Sequence, residues 1–309
     1  MPARHALTTP YRSSGVNVAI VTCSILPEGN EYDLPLLPAL ERAGAAVALE
    51  VWDDPGVRWH DYDRVVVRWP WDYTYKRDAF VEWAESVGDR LHNRPAVLRW
   101  NSEKSYLADL AAAGLPVVDT TLVRPGDPAP ELSGEVVVKP TVSAGARDTG
   151  RFSPAVHHDA TALIDRITGD GGTAMIQPYL PAVEARGETA IVVIAGRESH
   201  VLRKRAVLAP DEEAPLADHD LRSAAVMFDP GLVQPGEASD GERELAARVI
   251  GHMEERFGEP PLYARVDMLT DAEGSPVLLE LEAVEPALYL HSAPGAAERL
   301  ADAILKPPA

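Results

Sequence analysis

Glu280 and Glu282 stand two residues apart in the apolar run Leu278-Leu279-Glu280-Leu281-Glu282. In an extended strand that spacing puts both carboxylates on one face and turns Leu281 toward the core. The run before it, Tyr263-Ala264-Arg265-Val266-Asp267, reads as a second strand with Asp267 at its end. Unpaired acids in a buried strand are costly. Three carboxylates brought together repel unless a cation sits among them, and hard oxygen donors suit Mg²⁺, with Mn²⁺ as a substitute. Asp267, Glu280 and Glu282 are therefore the expected metal set. The bland alternative is a pair of solvated strand acids.

A second group is positive. Lys139 ends the apolar run Val136-Val137-Val138 and faces Thr141-Val142-Ser143-Ala144-Gly145-Ala146. A loop of small residues exposes backbone N–H groups that cradle phosphate oxygens, and the lysine adds a point charge. A snorkelling lysine beside an ordinary turn would look the same. In Ile176-Gln177-Pro178-Tyr179-Leu180 an apolar strand turns through proline, and Glu184 follows four residues on. Such a hinge can pair its backbone with a purine edge, and the acid can bind ribose hydroxyls. Arg68-Trp69-Pro70-Trp71-Asp72-Tyr73 follows an apolar run, at the place where an open parallel sheet presents ligand-binding residues. A small amino acid needs a cation for its carboxylate and an acid for its ammonium, so Arg68, Trp71 and Asp72 are expected to touch substrate. Trp52, Trp83 and Trp100 are expected to pack. The chain holds no G-x-x-x-x-G-K-[ST], no G-x-G-x-x-G, no G-x-S-x-G and no H-E-x-x-H, so those routes to phosphate, dinucleotide, acyl or zinc chemistry are absent.

The elements that must position these residues alternate. Strand runs Asn17–Thr22, Ala46–Trp52 and Arg64–Arg68 alternate with helical spacing over Leu34–Ala43 and Asp78–Val87, a parallel sheet with crossover helices. Asn101 or Ser102 is placed to cap a helix through Ala113, closed by Gly114. A small α+β unit follows, with strands at Val136–Val138 and Thr173–Gln177 and a helix at Ala160–Thr168. Then come a hairpin around Gly196 (Thr189–Ala195 and His200–Val207), a long polar segment Pro210–Gly241, a helix Gly241–Phe257, the two acid-bearing strands, and a last helix Gly295–Leu305. The fold class is α/β, α+β in its central and C-terminal parts. The expected units are a tail over residues 1–15, a substrate domain over 16–98, a central unit over 99–178 and a C-terminal unit over 179–309.

The 309 residues are 46% hydrophobic and 25% charged, ordinary for a globular protein. No run approaches the roughly 18 apolar residues of a membrane helix. The first fifteen residues lack the apolar core of a signal peptide. The single cysteine, Cys23, excludes a disulfide framework. A cytoplasmic location is expected. The formal net charge of −19 repels a phosphate backbone and argues against nucleic acid. A small-molecule substrate is expected, and a homodimer is compatible with the sequence.

Taken in order, Lys104, Lys139 with its loop, the Gln177 hinge, Glu184, Lys204-Arg205, Arg265, Asp267, Glu280 and Glu282 resemble the ATP-grasp superfamily of ligases from about Asn101 to Glu285. The resemblance implies three α+β domains with ATP held between the second and third. It implies that Lys104, Lys139, Ser143 and Gly145 meet the nucleotide phosphates and adenine side, that Gln177, Pro178, Tyr179 and Leu180 bind adenine, and that Glu184 binds ribose. Lys204 would meet the terminal phosphate, Arg205 would orient a carboxylate, and Arg265 would share the developing charge. Many members carry E-x-N where this chain has Glu280-Leu281-Glu282, and Glu285-Pro286-Ala287-Leu288 replaces a glycine-containing turn of D-alanine ligases. Glu285 joins the expected substrate set. A closer likeness is to the O-ureido-serine cyclo-ligase group, through Tyr32–Leu37, Trp52–Pro55, Arg68–Tyr73, Tyr106–Leu110 and Glu280–Pro286. The implied activity is ATP-dependent carboxylate–amine ligation through an acyl phosphate, with ring closure within that group. The alternatives are ligation between two molecules, phosphorylation without ligation, and a non-catalytic nucleotide-binding regulator.

Overall fold

The computed structural model describes residues 15–145, 147–208, 212–213 and 231–306. Residues 1–14 of the expected tail over 1–15 and much of the Pro210–Gly241 segment lie outside the described residues. Among the described residues no helix is long and apolar enough to cross a membrane.

The first sheet holds β1 (Asn17–Thr22), β2 (Ala46–Val51), β3 (Arg64–Trp69) and β4 (Leu91–His92) in the order β2-β1-β3-β4, all parallel. Val18–Val21 and Val65–Val67 are fully buried, as unbroken apolar runs are in parallel sheets covered on both faces. α1 (Leu36–Arg42) and α2 (Arg77–Val87) cover opposite faces. The inward stripe of α2 is Phe80, Val81, Ala84 and Val87, a helical spacing.

The helix expected from Asn101 or Ser102 through Ala113 begins only at Tyr106, and another helix precedes it. α3 (Pro95–Asn101) starts with proline in its first turn, and α4 (Tyr106–Ala112) restarts after a break. Asn101 does not cap. Its Nδ2 donates to the Leu281 carbonyl at 2.8 Å, and its Oδ1 accepts from the Ala283 N–H at 2.6 Å. Between the helices the Lys104 N–H bonds the Thr141 carbonyl at 2.8 Å. Gly114, at φ +79, ends α4 as expected.

The central sheet contains β5 (Thr121–Val123), β6 (Val136–Pro140), β7 (Gly150–Phe152), β8 (Ala174–Pro178) and the short β11 (Glu212–Glu213), ordered β11-β7-β6-β8-β5 and antiparallel throughout. Helix α5 (His157–Gly169) buries Ala160, Leu163, Ile164 and Ile167 against it.

The third sheet is β12-β10-β9-β13-β14, from β9 (Glu188–Ile194), β10 (Arg197–Lys204), β12 (Val233–Pro235), β13 (Tyr263–Thr270) and β14 (Pro276–Glu282). Its neighbours all pair antiparallel. The short α6 (Ala182–Arg186) leads into it. A Cβ on Gly196 would lie 2.7 Å from Pro260, and its φ is +74, so the β9–β10 turn requires glycine. The polar segment is not structureless to its end: Val233–Pro235 pairs with Leu202–Lys204. α7 (Asp240–Phe257) opens on a capping box between Ser239 and Glu242. Together with Val97, Tyr106, Leu107 and Leu110 it packs on one face of this sheet. α8 (Ala296–Leu305) fills the other face, beside α1. Asp267, expected at a strand end, sits mid-strand because β13 continues to Thr270.

Candidate active site

A cavity of about 300 Å³ opens between the central and third sheets, with loops of the first unit at one end. The third sheet supplies its charged floor. The antiparallel register sets Arg265 opposite Glu282 and Asp267 opposite Glu280, and on the neighbouring strand pair Lys204 opposite Glu188. Val266 and Leu281 point the other way into the core. Arg265 donates from Nε and Nη2 to Asp267, each at 2.8 Å at closest, and Nη2 also pairs with Glu282. Lys204 Nζ lies 2.8 Å from Asp267 Oδ2 and pairs with Glu188. Lys104 Nζ is 3.1 Å from Glu280, and Lys139 Nζ is 3.9 Å from its other oxygen.

These pairings set the protonation. Burial opposes the charge on Asp267, but Arg265 and Lys204 hold its carboxyl well below the usual range. Burial likewise works against Glu280, and Lys104 and Lys139 hold it low. Glu282 goes up, because burial and the charges of Asp267 and Glu280 outweigh Arg265. Burial pushes the Lys139 ammonium down, opposed by Glu280. Lys204 is raised: burial alone would lower it, and Asp267 and Glu188 overcome that.

The expected metal set is only partly gathered. Among the described residues no group of three or more His, Cys, Asp or Glu is arranged to hold a metal ion. Glu280 and Glu282 line the cavity as hard oxygen donors; Asp267 does not. Both Asp267 oxygens are taken by Arg265 and Lys204, and its exposure is 1%.

At the opposite wall Gln177, Pro178, Tyr179 and Leu180 line the cavity, as do Ser143 and Gly145. Lys104 Nζ donates to the Ser143 carbonyl at 2.7 Å, tying the small-residue loop to the floor. Glu184 stands at the rim, outside the lining. It accepts from Tyr179 Oη at 3.0 Å and from Arg151 at 2.8 Å. Arg151, absent from the expected set, lies 3.5 Å over the Tyr179 ring.

The substrate end departs most from expectation. Trp71, Glu285 and Arg205 line the cavity. Arg68 and Asp72 do not. The Arg68 side chain is fully buried; its Nη2 donates to Asp33 at 2.6 Å and to the Pro286 carbonyl at 2.5 Å. Asp72 accepts from Trp52 Nε1 at 2.8 Å, with Lys76 3.7 Å away. Their charges are spent inside the protein, so neither clamps an amino acid. Trp52 packs edge-on against Phe80, and Trp100 packs against Tyr106 and Phe257.

Glu285 is pushed up to about 8, first by burial and then by Glu282. The other walls are residues that sequence reasoning missed. Asn30, Tyr32, Arg147, Glu188 and Tyr289 all line the cavity. Tyr32 and Tyr289 stack at 5.0 Å, and Tyr289 takes φ +50, unusual for an aromatic residue. One compositional signal pointed to the place. The chain has only five lysines, Lys76, Lys104, Lys139, Lys204 and Lys306, and three of them line this cavity.

Residues 18–93 match the family described as the N-terminal domain of the D-cycloserine synthetase DcsG. The chain is 33% identical over 296 residues to the cycloserine biosynthesis protein DcsG of Streptomyces lavendulae, covering 90% of this chain and 95% of that one. The crystal structure of D-cycloserine synthetase DcsG superposes with a TM-score of 0.83 at 31% identity, covering 94% of this chain and 98% of that one. D-alanine–D-alanine ligase from Bacillus anthracis, solved with ATP, gives a TM-score of 0.64 at 13% identity, over 94% of this chain and 96% of that one. A RimK-domain ATP-grasp protein from Sphaerobacter thermophilus gives 0.62 at 16%, over 94% and 100%. The last two share the fold. By its identity and coverage against the DcsG relative, the chain belongs to the D-cycloserine synthetase family of ATP-grasp ligases.

Proposed function

We infer that the protein activates a small amino-acid-like carboxylate as an acyl phosphate at the expense of ATP and then closes a ring onto it; its relative is a D-cycloserine synthetase. The observation that carries this reading is a single cavity with two chemically distinct ends. One end offers Lys104, Lys139 and the Ser143–Gly145 loop, which suit phosphate; the other is an aromatic chamber of Tyr32, Trp71 and Tyr289 beside Glu285. A regulator that only held nucleotide would have no use for the second end.

Gln177 to Leu180 would seat the base, with Glu184 reaching the ribose from the rim. Lys104 and Lys139 would leave Glu280 for phosphate oxygens. Lys204 would face the terminal phosphate, and Arg265 would spread the charge that develops as the phosphoryl group moves. Arg205 would orient the carboxylate in line with that phosphate. Glu280 and Glu282 would hold Mg²⁺, which when bound supplies charge neutralisation to the phosphates. In ligation the amine nitrogen attacks the carbonyl carbon, a C–N bond forms, the C–O bond to phosphate breaks, and phosphate leaves. The aromatic walls would keep water from that carbon.

The test is a phosphate-release screen over amino acids and their ureido and aminooxy derivatives, with products weighed by mass spectrometry. The expected result is ADP and phosphate formed with a cyclic product from a single substrate. Release only with a second, external amine would make the protein an intermolecular ligase. ADP formation with no free phosphate would make it a kinase.

A further inference from the structure

Arg147 lies in the wall of the cavity and is 6% exposed. It belongs to the loop that carries Ser143 and Gly145, yet three of its four hydrogen bonds go to the first unit. Nη1 donates to Tyr75 Oη at 2.5 Å. Nη2 donates to the Trp71 carbonyl at 3.1 Å and to Thr74 Oγ1 at 2.8 Å. Nε donates back to the Ala144 carbonyl at 3.0 Å, and the guanidinium stacks 4.7 Å from the centre of the Tyr75 ring. One side chain thus joins the small-residue loop at the phosphate end to the turn that places Trp71 at the substrate end.

The partners are neutral oxygens, so they orient the guanidinium without cancelling its charge. That charge adds to the anion-attracting field of the cavity. The planar fork reaches a carbonyl, two hydroxyls and an aromatic face together, a geometry that lysine cannot reproduce. Neither Trp71 nor the loop can then shift without disturbing the other.

We propose that Arg147 is a positioning residue that latches the phosphate-side loop to the substrate-side turn and so ties ATP consumption to ligation. The proposal rests on the ligase reading above. With the latch shut, the acyl phosphate meets only the tethered amine. With it open, a water oxygen attacks the carbonyl carbon and the C–O bond to phosphate breaks. The carboxylate and phosphate are released with a proton, and ATP is hydrolysed without product.

Two measurements on the full chain separate the latch from the ligase reading. The first is hydrogen exchange of the free protein, which needs no substrate. Arg147→Ala and Arg147→Lys should speed exchange of the Ser143, Ala144, Thr74 and Tyr75 amides by roughly 10-fold or more, the factor corresponding to about 1.4 kcal/mol, with the α7 amides unchanged. Equal exchange in parent and variants overturns the latch. The second is phosphate released per product formed with the best substrate from the screen. The parent should stand near one, and both Arg147 variants and Tyr75→Phe should rise several-fold. A slower enzyme with an unchanged ratio would reduce Arg147 to a structural role and overturn the coupling. A parent that releases no phosphate with any carboxylate sinks the ligase reading and the coupling with it, while exchange still decides the latch.

Discussion

Asp33→Ala should be among the most damaging substitutions in this protein, although Asp33 does not line the cavity. Its side chain is 1% exposed and faces the fully buried Arg68 at 2.6 Å. The carboxylate also accepts the backbone N–H of Leu288 at 3.0 Å and of Leu290 at 3.2 Å. Alanine would leave a buried guanidinium donating to the Pro286 carbonyl without its acid, and two buried N–H groups without their acceptor. Breaking a buried pair from one side costs about 3–5 kcal/mol, and each stranded buried donor adds about 1–3 kcal/mol. These terms overlap, so about 4 kcal/mol or more is expected. The control is Arg42→Ala, which breaks a pair with Glu298 whose side chains are 61% and 56% exposed; exposed pairs are worth about 0–1 kcal/mol. Arg68→Met should cost less than Asp33→Ala, because the carboxylate keeps two backbone donors. The double variant should recover part of the loss. Equilibrium urea unfolding, read by tryptophan fluorescence, measures all four. Because the freed segment carries Glu285 and Tyr289 into the cavity, Asp33→Asn, if folded, should raise the substrate KM more than that of ATP. An Asp33→Ala cost within about 1 kcal/mol of the Arg42 control would refute the view that this pair, rather than a substrate, uses the Arg68 charge.

Glu280→Gln should abolish turnover and leave the circular dichroism spectrum unchanged; near-normal activity at saturating substrate would show that Glu280 holds no metal. Lys139→Ala should lose most of the thermal stabilisation given by ATP with Mg²⁺, which for a ligand at 100 times its Kd is ~2.7 kcal/mol; equal shifts in variant and parent would take Lys139 out of the nucleotide site. Glu285, ordinarily near 4.5, is raised to about 8 in the fold. Between those values the folded chain keeps a proton that the unfolded chain has released, so its contribution to stability is full below 4.5 and falls as pH rises through about 8. Glu285→Gln should flatten that decline in unfolding free energies measured across the window, and an identical slope in both proteins would count against the assignment.

Much of the scaffold was legible because burial leaves a pattern. Val18–Val21 and Val65–Val67 read as covered parallel strands, and the period of two placed Glu280 and Glu282 on one face with Leu281 behind. Partners distant in sequence leave no such mark. Asn101 looks like a helix cap until its amide is seen bridging the backbone of Leu281 and Ala283, 180 and 182 residues on. Arg68 and Asp72 look like a substrate clamp because an arginine and an acid after a strand read alike whether they face a ligand or a buried partner. Asp33 lies 35 residues before Arg68, and no local spacing links them. Asp267 looks like a strand-end metal ligand because nothing local shows that Arg265 and Lys204 take both of its oxygens.

The division of labour between the two cations explains how one floor holds so many charges. Arginines outnumber lysines 24 to 5 in this chain. Arg265 grips Asp267 with two nitrogens, and Arg68 and Arg151 are likewise locked into partners. A planar fork suits a bond that is not meant to change. Lysine is a compact charge on a flexible stem, which suits a site where partners are exchanged. Lys104 and Lys139 share Glu280 at 3.1 and 3.9 Å without a fork. In the proposed ligase, phosphate would take these lysines, and Glu280 with Glu282 would hold Mg²⁺ in their place. Each buried charge would then trade one partner for another rather than stand unpaired, which costs several kcal/mol. Glu282, where many ATP-grasp ligases have asparagine, fits the same scheme. It already neutralises Arg265 in the free protein, and an amide there would leave that buried guanidinium leaning on Asp267 alone among the acids.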